Sequence, residues 1–590
     1  MPAPCSTFSS TIVLFSLIHE RDIIKKMKTT KHILLTALLM LLSTTLFAQP
    51  APVKKAAQSV FSLTTFNADG SILGTSYGAF ITPSGTGLAM WHLFKGAHHA
   101  VVTDASGQQH DVEAMLGASE VYDLCTFRVR GAKAAALPLA TTDAAAQQVY
   151  LVGYDVKKPT IQTVTPLRSE KFNTTLNYYV FNDVDISGTM LGCPIVNGMG
   201  QLLGIAQRPA EGGQAFAADA RLTSSFALSG LSINDPVMRA TGIRTALPAD
   251  ENQATLMLML AGQQTDSVRY DAYVDEFIHR FPTSTEGYTA RATRLVSQRR
   301  LADADQVFQQ CVKQAAKKDE AYSNYAKTVY QATLYRVDTT FTKWSLGRAL
   351  ELAQEAYKVN ALPIYQHQQA QILYSEGKTE DALSIFTLLQ QTDLGKNGEV
   401  YYEAAQCKQR LGRPKEEVLA LINSAISVQP GSASAPYVLA RGRMYDEGGE
   451  YRKAFQDYLT YDTLVNNNGT AEFYYVKYQC EMKIRQYKLA LNDIAHAIVL
   501  TRTEPLYYAE MAALQLRVNM LQEAVQTCDM GLGLDDQNPN FYIIKGIALG
   551  EQAKTKSDAQ AQQHANAVAC LQKAKELGDE RAEGLLKKYQ

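Results

Sequence analysis

What the chain lacks narrows its reading first. An excess of charge is missing: 57 basic residues stand against 58 acidic ones, a formal net charge of −1. A chain with no overall field has no general attraction for nucleic acid or for an anionic membrane surface. Paired cysteines are missing too. Beyond the N-terminal region there are Cys125, Cys193, Cys311, Cys407, Cys480, Cys528 and Cys570. This odd, scattered set without C-x-x-C spacing marks neither a disulfide framework nor a thiolate metal site, and most of its members are expected as small buried apolar residues. A phosphate loop is also absent, because the glycines of "SGTG" at 84–87 have no lysine and helix after them. His98 and His99 are adjacent, so on a strand they face opposite ways and cannot easily hold one ion. No metal and no cofactor is expected.

What is present begins with an address. From Met27, Lys28 and Lys31 precede the apolar stretch "HILLTALLMLLSTTLFA", which ends at Phe47-Ala48. This is the pattern of an export signal cleaved near Gln49, with residues 1–26 as an upstream extension. A location in the periplasm or outside the cell follows, with no membrane span in the mature chain. The signal looks bacterial. At 590 residues the chain is too long for one hydrophobic core. With 46% hydrophobic residues it has the composition of a chain that folds throughout.

From about Ala249 onward the pattern turns helical, with alanines followed by apolar residues four and seven positions later. The clearest unit is "PYVLARGRMYDEGGEYRKAFQDY" at 436–458. Its small residues, Ala440, Gly442 and Ala454, suit a close crossing of two helices, and its aromatics fill the gaps beside it. The second-helix alanine recurs at Ala454, Ala490 and Ala524, steps of 36 and 34 residues. Weaker matches lie at Ala304, Ala349, Ala382, Val418 with Ala425, and Ala567 with Leu571 and Ala574. This periodicity resembles tetratricopeptide (TPR) repeats, about eight hairpins in all. The resemblance implies a superhelix that binds proteins or extended peptides.

Between Ser59 and Leu228 the chain alternates short apolar runs, "SVFSLTTF", "HAVVTD", "LCTFRVR" and "QVYLVGY", with turn-prone residues. That is an all-β sandwich or barrel pattern. Three ordered landmarks sharpen it: "SYGAFITPSGTGLAMWHLFKGA", "YDLCTFRV" and "DISGTMLGCPIVNGMGQLLGIAQ". Together they resemble trypsin-like and HtrA-like peptidases. The resemblance implies a double β-barrel with His92 at the catalytic histidine and Asp123 at the aspartate. "GQAFAADARL" resembles the closing strand.

The expected organisation is 1–48 extension and signal, 49–228 trypsin-like domain, 229–249 linker, and 250–590 TPR-like array. In the peptidase arrangement a histidine takes the serine proton, an aspartate orients the imidazole, and backbone amides hold the oxyanion. Matching Gly192 and Pro194 to the family's glycine and proline puts Leu191 at the nucleophile and Thr189 at the oxyanion-hole glycine. A leucine cannot attack a carbonyl. Ser187, Thr189 and Cys193 are the alternative nucleophiles, and each departs from the family's spacing. Three functions follow: a pseudopeptidase that binds extended chains by strand addition while the repeats recruit a partner, an active endopeptidase with an altered nucleophile, and a scaffold whose binding belongs to the repeats alone.

Overall fold

The computed structural model describes residues 49–141, 148–172, 175–182, 185–208, 213–264, 266–554 and 560–589. The expected export signal lies outside these. After a short helix α1 (Ala51–Ala56) come six strands: β1 (Val60–Phe66), β2 (Ile72–Phe80), β3 (Thr86–Ala89), β4 (His99–Thr103), β5 (Gln109–Ser119) and β6 (Leu124–Val129). They close into an antiparallel barrel in the order β1-β2-β3-β6-β5-β4. Alternation along β1 sends Phe61 and Leu63 inward, where they meet Phe80, Trp91, Phe94 and Phe127 in one buried cluster. The rings need room. A Cβ on Gly87 would sit 2.6 Å from Phe127 and one on Gly78 2.5 Å from Phe61, so glycine at these two positions is a packing requirement.

Seven further strands form a second sheet: β7 (Val149–Val152), β8 (Ile161–Val164), β9 (Arg168–Phe172), β10 (Leu176–Phe181), β11 (Pro194–Val196), β12 (Leu202–Gln207) and β13 (Ala215–Asp219). Their order is β8-β7-β11-β12-β13-β10-β9. Every residue of β12 is buried, as befits a central strand covered on both faces. Val60, Leu88 and Leu124 of the barrel share one apolar cluster with Val152, Val196 and Ile205 of this sheet, and α1 adds Val53 and Ala56. The two sheets thus close over a common core, and the all-β N-terminal part expected from the strand pattern is the observed one.

The segment after β13 stays on the barrel. It forms a 3₁₀ turn (Ala220–Ser225) and helix α2 (Pro236–Arg239). Main-chain hydrogen bonds then bind it down: Gly96 N to Ala240 O and Gly242 N to Ala97 O, both 2.7 Å, Met115 N to Arg244 O at 2.9 Å, and Ala246 N to Met115 O at 2.8 Å. Met238 and Ile243 enter the barrel's own core cluster. Helices α3 (Glu251–Gln264) and α4 (Ser267–Arg280) follow, packed on one another.

The chain divides into two compact units, one ending at Arg291 and the other beginning at Ala292. Within the second, helices pair in sequence: Lys318–Leu334 with Leu346–Val359, Pro363–Ser375 with Thr379–Leu389, Gly398–Arg410 with Lys415–Val428, and so on to Pro539–Ala553 with Gln560–Glu576. The alanines singled out in the sequence, from Ala304 through Ala349, Ala382, Ala454, Ala490 and Ala524 to Ala574, are all fully buried. At Gly442 an added Cβ would lie 2.9 Å from the Tyr458 ring, so this crossing is as close as the small residue implied. Ion pairs link consecutive pairs of helices, as in Arg413–Glu380 at 2.6 Å, Lys415–Glu450 at 2.8 Å and Lys483–Asp446 at 2.8 Å. Among the described residues no helix is long and apolar enough to cross a membrane. Six of the seven cysteines are buried, Cys570 is partly so, and all are free thiols.

Candidate functional site

β3 runs antiparallel to β6 with Ala89 opposite Cys125. The residues just beyond this pair therefore meet at one end of the barrel. A 3₁₀ turn at Trp91–Leu93 carries His92 there, and Asp123 stands immediately before β6. Trp91 N donates to Asp123 O at 3.3 Å and His92 N to Asp123 Oδ1 at 2.7 Å. The second carboxylate oxygen, Oδ2, lies 2.7 Å from His92 Nδ1. Asp123 adopts φ of +49° to do this, a left-handed conformation that aspartate tolerates better than most side chains. With the carboxylate accepting, the ring carries its proton on Nδ1 and turns Nε2 outward; among the described residues Nε2 has no hydrogen-bond partner. The Asp123 hydrogen bond raises the His92 pKa above its usual value, against the opposing effect of partial burial.

The opposite wall comes from the second sheet. Gln207, at the end of β12 and 2% exposed, donates from Nε2 to both Tyr122 O (3.0 Å) and Asp123 O (2.8 Å). It fixes the aspartate's backbone and was not legible in the sequence. Nor was a row of half-buried aromatics: Tyr122 stacks on Phe172 at 4.3 Å between ring centroids, Phe172 meets Tyr178 edge-on at 6.3 Å, and Tyr178 stacks on Phe216 at 4.9 Å. Burial and then the Asp123 charge push the Tyr178 hydroxyl up to about 12, so it stays protonated at neutral pH. These side chains come from β9, β10, β13 and the loop before β6, and no short motif joins them.

The third landmark is a loop with its own hydrogen-bond economy. Ser187 leads into a 3₁₀ turn at Gly188–Met190, and Leu191 follows, half-buried. Met190 N donates to Ser187 O at 3.0 Å, Leu191 N to Gly188 O at 3.5 Å, Gly192 N to Ala206 O at 2.7 Å and Cys193 N to Met190 O at 3.2 Å. Three of these four consecutive amides therefore close turns within the loop, and Gly192 N ties it to β12. Gly192 has φ of +85°, and a Cβ there would be 2.3 Å from Ser76 Oγ and 2.8 Å from Tyr77 O, so the loop lies directly on β2. Cys193 is fully buried, and burial pushes its thiol up to about 12. The hydroxyls of Ser187 and Thr189 are exposed and hydrogen-bonded to each other at 3.1 Å. Thus the structure joins His92 to Asp123, buries Cys193, and leaves Leu191 with no group that can form a bond to a carbonyl. Among the described residues no cluster of side chains fits a metal ion.

Residues 77–205 match the family model described as trypsin-like peptidase domain, a stretch that includes His92, Asp123, Leu191 and Cys193. The N-terminal part is therefore a trypsin-like peptidase-fold domain. Among solved structures, the chain is similar to a serine endoprotease from Yersinia pestis, with 19% identity, a TM-score of 0.25, and coverage of 32% of this chain and 65% of that one. It is also similar to an HtrA-type protease determined with a tripeptide, with 18% identity, a TM-score of 0.26, and coverage of 32% and 64%. The chain thus spans a little under two thirds of the length of these structures. A comparison with curated proteins finds no match.

Proposed function

We propose that this is an exported pseudopeptidase: its trypsin-like domain holds an extended polypeptide without cutting it, and its helical pairs are TPR units that recruit a second protein. The observation that carries the reading is the loop at 188–193. The sequence match assigns Leu191 to the nucleophile position, and the Leu191 amide, which an oxyanion would need as a donor, is turned to Gly188 O at 3.5 Å. Catalysis of acyl transfer depends on donors aimed in advance at the developing charge, and a Leu191 amide turned to Gly188 O is not aimed in that way. Cys193 does not substitute, because a buried thiol pushed up to about 12 supplies almost no thiolate at neutral pH.

Binding is supported by the row Tyr122, Phe172, Tyr178 and Phe216 beside Asp123, which offers apolar surface to alternate side chains of a strand. The TPR assignment is supported by the repeated spacing of the buried alanines and by Gly442 at a helix crossing. The domain limits 49–228, 229–249 and 250–590, the export signal, and the periplasmic or extracellular location are parts of the same proposal. A second reading, an endopeptidase using Ser187 or Thr189, is favoured by one observation, the intact 2.7 Å His92–Asp123 hydrogen bond.

The test takes the chain from Gln49 with an unfolded protein substrate and serine- and cysteine-directed probes, beside His92→Ala. Binding of the substrate without cleavage or labelling supports the pseudopeptidase. Cleavage that vanishes in His92→Ala overturns it in favour of the second reading.

A further inference from the structure

A cluster of charges stands where α4 meets the barrel. Glu276 of α4, only 8% exposed, receives Arg128 Nη2 of β6 at 2.6 Å, Arg244 Nη1, and Arg280 Nη1 at 3.3 Å. Glu113 of β5 receives Arg244 Nη2 at 2.7 Å. Burial opposes ionisation of Glu276, but Arg244 and Arg128 outweigh it and hold its pKa below the usual carboxylate value. Glu113 shows no such burial, being more than a quarter exposed. The cluster therefore contains three guanidinium groups and two carboxylates, and one positive charge is left uncompensated.

That charge borders a cavity. Arg128 and Arg280 both line a cleft of about 820 Å³ whose remaining walls include Leu116, Thr126, Leu139 and Phe226. Nε of Arg128 is sealed from solvent. Although it lies 3.3 Å from Glu113 Oε2, it makes no hydrogen bond. A buried charged donor without a hydrogen bond is costly. An unpaired charge partly removed from water is costly as well. The second of these is met by an anion in the cleft that accepts from the guanidinium N–H groups reaching it. The rest of the lining sets apolar side chains, among them Leu116, Leu139, Phe226 and Leu247, beside the hydroxyl residues Thr82, Thr86, Thr126, Thr223 and Ser224, and the volume falls in the range of about 300–1,000 Å³ that takes a small organic molecule.

We propose that this cleft is a binding site for a carboxylate carried on an apolar body, with the carboxylate between Arg128 and Arg280 and the apolar part against Leu116, Leu139 and Phe226. None of the groups around His92 lines it, so the site is separate from the pseudopeptidase cleft and stands or falls independently of it. Because Arg280 and Glu276 belong to α4 while Arg128 belongs to β6, a bound carboxylate adds a further tie between the barrel and the first helical pair.

The experiment uses the chain from Gln49 and calorimetric titration with decanoate and with its methyl ester. Two short peptides of apolar side chains, one ending in a free carboxylate and one in an amide, run as a second arm. Decanoate or the peptide acid is expected to bind at least about tenfold more tightly than its neutral counterpart, a difference of about 1.4 kcal/mol. Whichever acid binds more tightly identifies the source. Arg128→Gln should erase the preference for the acid. Ala227→Trp fills the cleft from an exposed lining position without touching the charge cluster, and it should abolish binding while thermal stability is kept. Equal binding of acid and neutral forms, no binding of either acid, or full binding by Ala227→Trp overturns the proposal.

Discussion

Serine placed at position 191 asks whether the rest of the loop still works as machinery. Leu191 is half-buried against the cluster of Met190, Cys193 and Ile195. Its truncation therefore costs less than the ~2–5 kcal/mol of a fully buried leucine, and Leu191→Ser is expected to fold. By the sequence match the new hydroxyl falls at the nucleophile position, and His92 is already oriented by Asp123. What it does not gain is a free amide at residue 191, one of the two oxyanion positions, because that N–H is turned to Gly188 O. Loss of one such donor lowers turnover on the order of 10²–10³-fold, about 2.7–4 kcal/mol. Leu191→Ser is thus expected to hydrolyse a fluorogenic protein substrate at least ~10²-fold more slowly than trypsin run alongside. Its labelling by a fluorophosphonate, followed by intact mass, should take hours. Labelling within minutes that disappears when His92→Ala is added would refute the reasoning, because the loop would then already present its amides to the reaction.

Three other outcomes are expected. Gly192→Ala combines a left-handed φ, costing roughly 1–2 kcal/mol for a residue with a Cβ, with a clash against Ser76 and Tyr77 that adds roughly 1–3 kcal/mol; a lowered denaturant midpoint with an unchanged slope is the expected readout. The His92 pKa is raised in the folded state, so the stability its pairing with Asp123 contributes is fully present below the ordinary imidazole value of 6.5 and fades as pH rises through the raised one. The gap in melting temperature between the parent and Asp123→Asn should therefore narrow on going from pH 5 to pH 9. Glu481 is fully buried, and burial followed by hydrogen bonding to the nearby Asp493 raises its pKa far above the carboxylate range. Protons bound in the folded state are lost on unfolding, so stability declines as pH rises from the carboxylate range through neutrality. Glu481→Gln should flatten that decline in a pH series of melting curves.

The parts of this molecule that were legible in the sequence are those that repeat or alternate. β1 was visible because Phe61 and Leu63 alternate with polar residues, and the helical array because Ala454, Ala490 and Ala524 recur at a helix-crossing period. His92 and Asp123 were found through short landmarks that each carry one of them. Gln207 was missed because it reads as the last residue of an apolar strand, and its partners Tyr122 and Asp123 are 85 and 84 residues away. The same holds for the Arg128–Glu276 contact, made across 148 residues: each charge alone reads as part of a solvated face. Residues 229–249 read as a linker because main-chain hydrogen bonds to the barrel leave no trace in side-chain pattern.

Those main-chain bonds change where the molecule is expected to come apart. A protease meeting the native protein should find Ala240–Ala246 protected, since cleavage there requires the strap to peel from Ala97 and Met115 first. A fragment ended at Leu228 would bare Met115 and the apolar seats of Met238 and Ile243, and such a truncation invites aggregation. A fragment carried through Arg280 keeps that segment in its seats, together with the Glu113 and Glu276 carboxylates that pair with Arg244.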